Sequence, residues 1–352
     1  MTEFQVEKPI LNSPFDEPRE YWWIAEGEEP ERRLGRRPAL YHYRPAEGSR
    51  GAGGAGVAIE LKLVNRIRER LKEWRAAGYP GTTRTTRELL AYWQREGRQH
   101  RLFFAQVEAA ETIIFLIEAR ADLLQGIVVP ADEPRSGSGA ELSAFRRYAC
   151  KMATGSGKTT VMGMLAAWSI LNKVADRQDA RFSDAVVVVC PNVTIRNRLQ
   201  ELNPARGAAS IYATRDLVPP HLLPALGRGR LFVTNWHVFE PRAMQVSGVG
   251  AKVARVGAPV RSVETVIIGP KTTTARGKRY MALDDLCRQR AAGLVNVLAE
   301  ELGVDGRPVR VKVETLRYVE TDRALVNACS DATLVPKVIC WSSTTRRTTH
   351  TA

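Results

Sequence analysis

The stretch Thr154-Gly155-Ser156-Gly157-Lys158-Thr159-Thr160 carries the residues with the clearest chemistry in this sequence. Two glycines let the backbone turn so that consecutive N–H groups converge on one anion, and a helical run follows whose positive end adds to the attraction. The spacing is that of a phosphate-binding loop. In such a loop Lys158 reaches the outer phosphates as the catalytic cation, and the Thr159 hydroxyl is the metal ligand, holding Mg²⁺. The full pattern G-x-x-x-x-G-K-[ST] would place a glycine at position 152, where Met152 stands. A glycine–serine turn ahead of an ordinary helix is the plainer alternative. The strand-like run before the loop and the helical run after it favour the phosphate site.

The elements that must hold this loop can be read from apolar periodicity. Arg146 to Met152 is expected as the strand entering the loop, and Thr159 to Asn172 as the helix leaving it. Ala185-Val186-Val187-Val188-Val189-Cys190, stopped by Pro191, is an unbroken apolar run of the kind found in strands buried on both faces of a parallel sheet. Thr194 to Leu202 reads as a helix, and Arg230 to Thr234 as a second buried strand. Strands alternating with helices after a phosphate loop imply an α/β nucleotide-binding core.

Three helices are expected ahead of that core. Val64, Ile67, Leu71 and Trp74 mark one, with Gly78 as its C-cap and a turn at Pro80-Gly81. Thr86 to Arg95, burying Leu89, Leu90 and Trp93, is the second, and Phe104 to Leu124 the third. Residues 1–56 are rich in Pro, Glu and Arg and end in a glycine-rich linker, so they are expected to be extended. Their aromatic residues, Trp22, Trp23 and the Tyr41-His42-Tyr43 run, either dock on the body or stand as isolated side chains of a polar leader, the second being the preferred reading. Pro130 to Gly139 reads as a loop. Beyond residue 241 the pattern changes. Met244 to Thr274 reads as turns and short strands, Leu283 to Leu302 as a helix with Leu286, Leu294 and Leu298 inward, and Val309, Val311 and Val313 as one face of a strand. This part, 241–327, reads as an insertion on the core. Its Arg276, Lys278, Arg279, Arg307, Arg310 and Lys312 are either nucleic-acid contacts or plain surface charge.

A chain of 352 residues that is 44% hydrophobic can bury one large core or two ordinary ones. The net charge of +14 points either to a polyanionic partner or to an arginine-rich composition. Cys150, Cys190, Cys287, Cys329 and Cys340 are scattered with no C-x-x-C pair, which indicates neither a zinc site nor a disulfide framework and suits a reduced, cytoplasmic compartment. The start, Met1-Thr2-Glu3-Phe4, has no signal-peptide character, and no apolar run reaches membrane-spanning length.

The order of motifs resembles a superfamily 2 helicase, and specifically the Res (motor and nuclease) subunit of type III restriction enzymes. Phe103-Phe104-Ala105-Gln106-Val107-Glu108-Ala109-Ala110-Glu111-Thr112 looks like the adenine-reading Q-motif, Met152 to Thr159 like motif I, Cys190 to Arg196 like motif Ia, and Thr234-Asn235-Trp236-His237 like motif Ib. Lys72 to Gly81 also resembles the leader of that family. The resemblance covers residues 57–327, and Met152 in place of glycine fits the superfamily 2 form of the loop.

The resemblance implies a RecA-like domain over 146–327, preceded by a helical region over 57–145. It implies an ATP-dependent motor that translocates double-stranded DNA with a separate modification (Mod) methyltransferase subunit as partner. Gln106 would bond adenine through its amide, and Thr154, Gly155, Ser156, Gly157, Lys158, Thr159 and Thr160 would hold ATP and Mg²⁺. Pro191, Asn192, Thr194, Arg196 and Thr234 would contact the nucleic-acid backbone. A different superfamily 2 motor on DNA or RNA, or a non-enzymatic nucleotide- or DNA-binding remnant, are the competing expectations.

Several parts of the family pattern are read as missing from the sequence: motif II, the second RecA-like domain with its arginine finger, and the C-terminal nuclease domain. Motif II contains an Asp-Glu-Ala-His tetrad that holds Mg²⁺ and orients the attacking water, and no such tetrad occurs here. Asp284-Asp285 reads as the acidic start of a helix instead. The tail from Cys340 to Ala352 has no pattern of helix or strand, yet back-translated in a shifted frame it can encode Leu-Val-Leu-Asn-Asp-Glu-Ala-His. The expectation is a frameshift near Asn327–Ala328 and early termination, leaving an incomplete motor with a non-native, loosely packed tail over 328–352. Nucleotide sequencing around codon 327 is expected to show the tetrad in the shifted frame; a shifted frame that encodes anything else sinks this explanation.

Overall fold

The computed structural model of the chain describes residues 8–24, 29–43, 57–130, 147–239, 241–243, 253–275, 278–291, 294–303, 306–322 and 337–340. The chain divides into two compact units, one of 1–184 with 201–230, the other of 185–200 with 231–352. The span 146–327, expected as one domain, contributes to both.

The first unit begins with two small antiparallel ladders: β1 (Glu20–Trp23) with β2 (Glu31–Leu34), and β3 (Leu40–Tyr43) with β4 (Val57–Glu60). The glycine-rich linker lies outside the described residues. Four helices follow: α1 (Lys62–Ala76), α2 (Arg84–Gln94), α3 (Phe104–Glu118) and α4 (Lys158–Ala175). Their core holds Leu71, Trp74, Leu89, Leu90, Trp93, Ile114, Phe115, Met164, Trp168 and Ile170, all close to fully buried. Of the α1 stripe only Leu71 and Trp74 reach this core, and Val64 is exposed.

The leader is not the undocked segment that its composition suggests. The Phe104 N–H donates to the Pro14 carbonyl oxygen at 2.9 Å. The Phe15 ring packs on Phe103 with centroids 5.4 Å apart, and the Arg101 guanidinium lies 4.8 Å above Phe15 while pairing with Asp16. Arg36 grips Glu108 with both prongs of its guanidinium. Trp22 donates its indole N–H to Lys8, and Arg33 covers Trp23. Stacking on aromatic faces lets arginine shield apolar surface while its charge stays solvated, so a polar segment can still dock.

α3 stops at Glu118, six residues before the expected end. The residues after it are good helix formers, so propensity does not end the helix. Gly81, at φ +95°, packs so tightly on this end that a Cβ there would meet the Glu118 carbonyl oxygen at 2.5 Å and the Arg120 nitrogen at 2.9 Å. The Glu118 carboxylate, 3% exposed, turns inward. It accepts from the Thr83 N–H (2.8 Å), the Thr86 hydroxyl (2.7 Å) and the Trp168 indole N–H (2.6 Å). Asn172 of α4 donates to Thr86 at 2.9 Å, completing a buried polar joint between α2, α3 and α4. Glu111, fully buried, forms a second joint with Arg75 (2.6 Å), Tyr79 (2.8 Å) and Gln94 (3.3 Å).

In the second unit β5 (Ala185–Cys190) is central in a three-stranded sheet, and helix α5 (Val193–Arg198) follows it. One neighbour is β6 (Arg230–Asn235). A larger, mostly antiparallel sheet is built from β7 (Pro241–Ala243), β8 (Val253–Ile268), β9 (Thr273–Ala275), β10 (Lys278–Met281), β11 (Val295–Leu302) and β12 (Pro308–Asp322), with α6 (Leu283–Ala291) between β10 and β11. The second neighbour of β5 is β13 (Lys337–Cys340), which pairs with it in parallel, Lys337 opposite Val186 and Cys340 opposite Val189.

Several expectations are corrected here. Residues 147–153 form no strand, and most of their side chains are exposed. An extended segment needs a neighbour for its N–H and C=O groups to become a strand, and none of the described strands pairs with this one. The expected helix over 283–302 divides into α6 and β11. Val295 and Val297 are β-branched and pair with Thr315 and Val313, so ladder formation overrides helical spacing. Leu294 is buried as expected, but Leu298 is 49% exposed. The turns and short strands expected over 244–274 are, where described, the long strand β8, a turn at 269–272 and the start of the short strand β9. Val311 and Val313 face the core with Val266, Met281, Leu286 and Val295, whereas Val309 is 47% exposed. Of the tail 328–352, expected to be non-native and loosely packed, only Lys337–Cys340 lies among the described residues, as β13.

A surface joint of the first unit gives a pH-dependent prediction. Asp216 sits in the left-handed region (φ 55°) and accepts from the Tyr92 hydroxyl and the Arg95 guanidinium. Burial pushes its carboxyl upward, but these bonds and the charges of Arg95 and Arg98 outweigh it and hold the pKa below the ordinary value. A depressed folded pKa means stabilisation that is complete above the unfolded value of about 4 and lost as pH falls through the folded one. Asp216→Asn keeps the turn, because asparagine tolerates this backbone region. It is expected to lower the midpoint of thermal unfolding at pH 7, with the gap to the wild type narrowing as pH falls below about 4; a gap that is the same at pH 3 as at pH 7 would show that charge is not the cause.

Candidate nucleotide and nucleic-acid sites

The loop ahead of α4 has the geometry its glycines allow. Gly155 and Gly157 both stand at φ +82°, a region that costs a side chain about 1–2 kcal/mol. Gly157 is the N-cap of α4, and the N–H groups of Thr160 and Val161 already turn back to its carbonyl oxygen at 2.9 and 3.3 Å. The eighteen-residue helix α4 directs its positive end at the loop. The Lys158 ammonium spans the concavity to the Ala153 carbonyl oxygen at 2.9 Å, an oxygen shared with the Ser156 hydroxyl at 2.7 Å. Thr154 and Gly155 are exposed, Ser156, Gly157, Lys158 and Thr159 half-buried, and Thr160 buried. Two converging glycines, a lysine within the concavity and a helix N-terminus form a cradle whose donors fit a polyphosphate with its metal.

Gln106 is 6% exposed, not solvent-facing. It sits in the first turn of α3, where its Oε1 accepts from the Phe103 N–H at 3.0 Å. Its Nε2 donates across to the Ser156 carbonyl oxygen, also at 3.0 Å. The structure therefore brings Gln106 and the phosphate loop together. Sequence reading missed Pro14, Phe15 and Arg101, which fasten the leader to this same helix start. An aromatic residue flanked by prolines in the leader was the available signal.

The expected nucleic-acid contacts lie in the second unit. Asn192 caps α5, its side-chain oxygen accepting from the Ile195 N–H at 2.9 Å. Asn192 and Thr194 are exposed, and Pro191, Arg196 and Thr234 half-buried. The buried thiol of Cys190 lies 3.2 Å from both the Thr234 carbonyl oxygen and the Asn235 Oδ1, and 3.6 Å from the Asn192 carbonyl oxygen. Burial pushes this thiol up, so it stays protonated and donates, tying the ends of β5 and β6 together. Of the basic residues of the larger sheet, Arg279 is paired with Glu264, Arg310 lies 3.8 Å from Glu301, and Lys278 and Lys312 are exposed. Arg276 lies outside the described residues.

Residues 99–209 match the family model of the type III restriction enzyme, res subunit. The matched segment starts just ahead of α3 and runs through the phosphate loop, α4, β5 and α5, so it contains the Q-motif, motif I and motif Ia resemblances. Thr234 and the larger sheet lie beyond it. The likeness to that family includes the loop and is confined to residues 99–209. No curated protein and no solved structure matches the chain. Among the described residues no helix is long and apolar enough to cross a membrane.

Gly157 offers a direct check of the loop. A Cβ there would collide with the Gln106 amide nitrogen and also require a strained backbone. Gly157→Ala is expected to cost about 1–3 kcal/mol in urea unfolding, and Gln106→Ala in the same chain should recover part of it. No recovery would mean that the two groups are not in contact.

Proposed function

We propose that the chain binds ATP with Mg²⁺ at the loop Thr154–Thr160 and is the nucleotide-binding, DNA-engaging portion of a type III restriction motor. The carrying observation is the loop itself: positive-φ glycines, Lys158 in the concavity and the α4 N-terminus, all inside the res-like segment. On this reading Lys158 holds the β- and γ-phosphates, Thr159 takes Mg²⁺, and the backbone N–H groups of Gly155, Gly157, Lys158 and Thr159 surround the phosphates. Pro191, Asn192, Thr194, Arg196 and Thr234 form a backbone-contacting edge for double-stranded DNA, supported by the clustering of the β5 and β6 ends around Cys190. A modification methyltransferase is the matching protein partner, and the cytoplasm the matching compartment.

The sequence contains no Asp-Glu-Ala-His tetrad, so the carboxylates that would hold the metal from the opposite side and orient water are not supplied by that motif. Phosphoryl transfer depends almost wholly on positioning and charge stabilisation. The chain is therefore proposed to bind nucleotide while turning it over slowly. Mg-ATP is expected to raise the thermal unfolding midpoint of the wild type, and Lys158→Ala to abolish that rise. An equal rise in the variant would place any nucleotide elsewhere.

A further inference from the structure

We propose that the leader is a strap that regulates the nucleotide site: its docking on the start of α3 and occupancy of the phosphate loop stabilise one another. The proposal rests on the nucleotide-binding reading of the loop. The strap holds α3 at successive points of its first two turns. Pro14 accepts the Phe104 N–H at 2.9 Å, and Phe15 packs on the Phe103 ring. Arg36 lies 5.5 Å over the Phe104 ring while its fork grips Glu108. These points are joined within the leader. The Gly35 N–H donates to the Arg19 carbonyl oxygen at 2.6 Å, and the Arg19 N–H donates to the Asn12 side-chain oxygen at 2.9 Å. The Pro14–Phe15 corner and Arg36 therefore engage α3 together. Beyond Arg36 the strap is fastened to α1, where the Ala39 N–H donates to Asn65 Oδ1 at 2.8 Å.

The same turn of α3 meets the loop, since Gln106 Nε2 donates to the Ser156 carbonyl oxygen at 3.0 Å. A ligand that orders the Ser156–Gly157 backbone thereby orders the turn on which the strap docks. A docked strap, in return, removes motion that the ligand would otherwise have to remove. The strap is also held lightly enough to respond. None of its described residues is buried. Its contacts are single hydrogen bonds, ring stacking and ion pairs open to water, such as Asp16 with Arg101, whose side chains are 60% and 61% exposed. A segment held in this way opens more readily than the buried helices beneath it. Phe15 and Arg36 are positioning residues on this account.

The test reads the linkage in both directions on the full chain. By hydrogen exchange with mass spectrometry, saturating Mg-ATP is expected to slow exchange in leader peptides about five- to tenfold. By calorimetry, Phe15→Ala and Arg36→Gln are each expected to weaken Mg-ATP about fivefold, the lower range of measured couplings between sites. Asp216→Asn is the control for lost stability. It loosens a joint of the same unit with Tyr92 and Arg95, and is expected to bind Mg-ATP as the wild type does. Leader exchange that Mg-ATP leaves unchanged overturns the proposal, and so does wild-type affinity in both strap variants. Equal weakening in Asp216→Asn also overturns it, because affinity would then follow stability and not the strap. In each of these cases Mg-ATP still binds, and the nucleotide reading stands. The exchange measurement needs no variant and decides the matter if the strap variants do not fold. Absence of Mg-ATP binding to the wild type would instead remove the nucleotide reading itself, and this proposal with it.

Discussion

The buried carboxylate of Glu118 is the constraint on which the first unit depends. It takes three donors, from Thr83, Thr86 and Trp168, and so binds the start of α2, the end of α3 and the middle of α4 at one point. A carboxylate buried without donors would be strongly unfavourable, and each charge-assisted bond contributes about 1.5–3 kcal/mol. The geometry is therefore set by polar satisfaction as much as by apolar packing. Trp168 joins the two, because its indole N–H serves Glu118 while its ring meets Phe182 edge-on at 5.3 Å. With α4 fixed along its length, the loop at its N-terminus has a rigid support.

The opposite end of α3 serves the loop directly. Its first turn receives Pro14 and Phe15 from the leader and sends Gln106 to Ser156. A helix start has donors without internal partners. Here they are met by a leader carbonyl and by a side chain that also reaches the phosphate loop. Ordering of the leader and ordering of the loop are thus linked through one turn of helix.

The second unit follows a different logic. Its small sheet places the ends of β5 and β6 side by side, and a protonated thiol, not a charge, connects them. Its larger sheet buries Val266, Val311 and Val313 beneath Leu286 of α6 and leaves Arg261, Arg310 and Lys312 outside. Alternation along β12 makes one face a core and the other a charged surface.

The residue types and spacing determined the helical elements of the first unit, the buried strand β5 and the positions of Lys158 and the loop glycines. These are local properties: a period of apolar residues, a conformational freedom, a charge next to a helix start. Leu71, Trp74, Leu89, Leu90 and Trp93 were legible as core for that reason. What only the tertiary structure decided were matters of partnership. The segment before the loop forms no strand among the described residues, the end of α3 meets Gly81, and Val295–Leu302 left helical spacing for a ladder with β12. The same holds for Gln106. Its residue type says that it can bond a base, but only the packing of α3 against the loop shows that it also bridges the Phe103 N–H and the Ser156 carbonyl oxygen. Hydrogen-bond capacity is written in the side chain, whereas its satisfaction depends on which distant groups the fold brings within 3 Å.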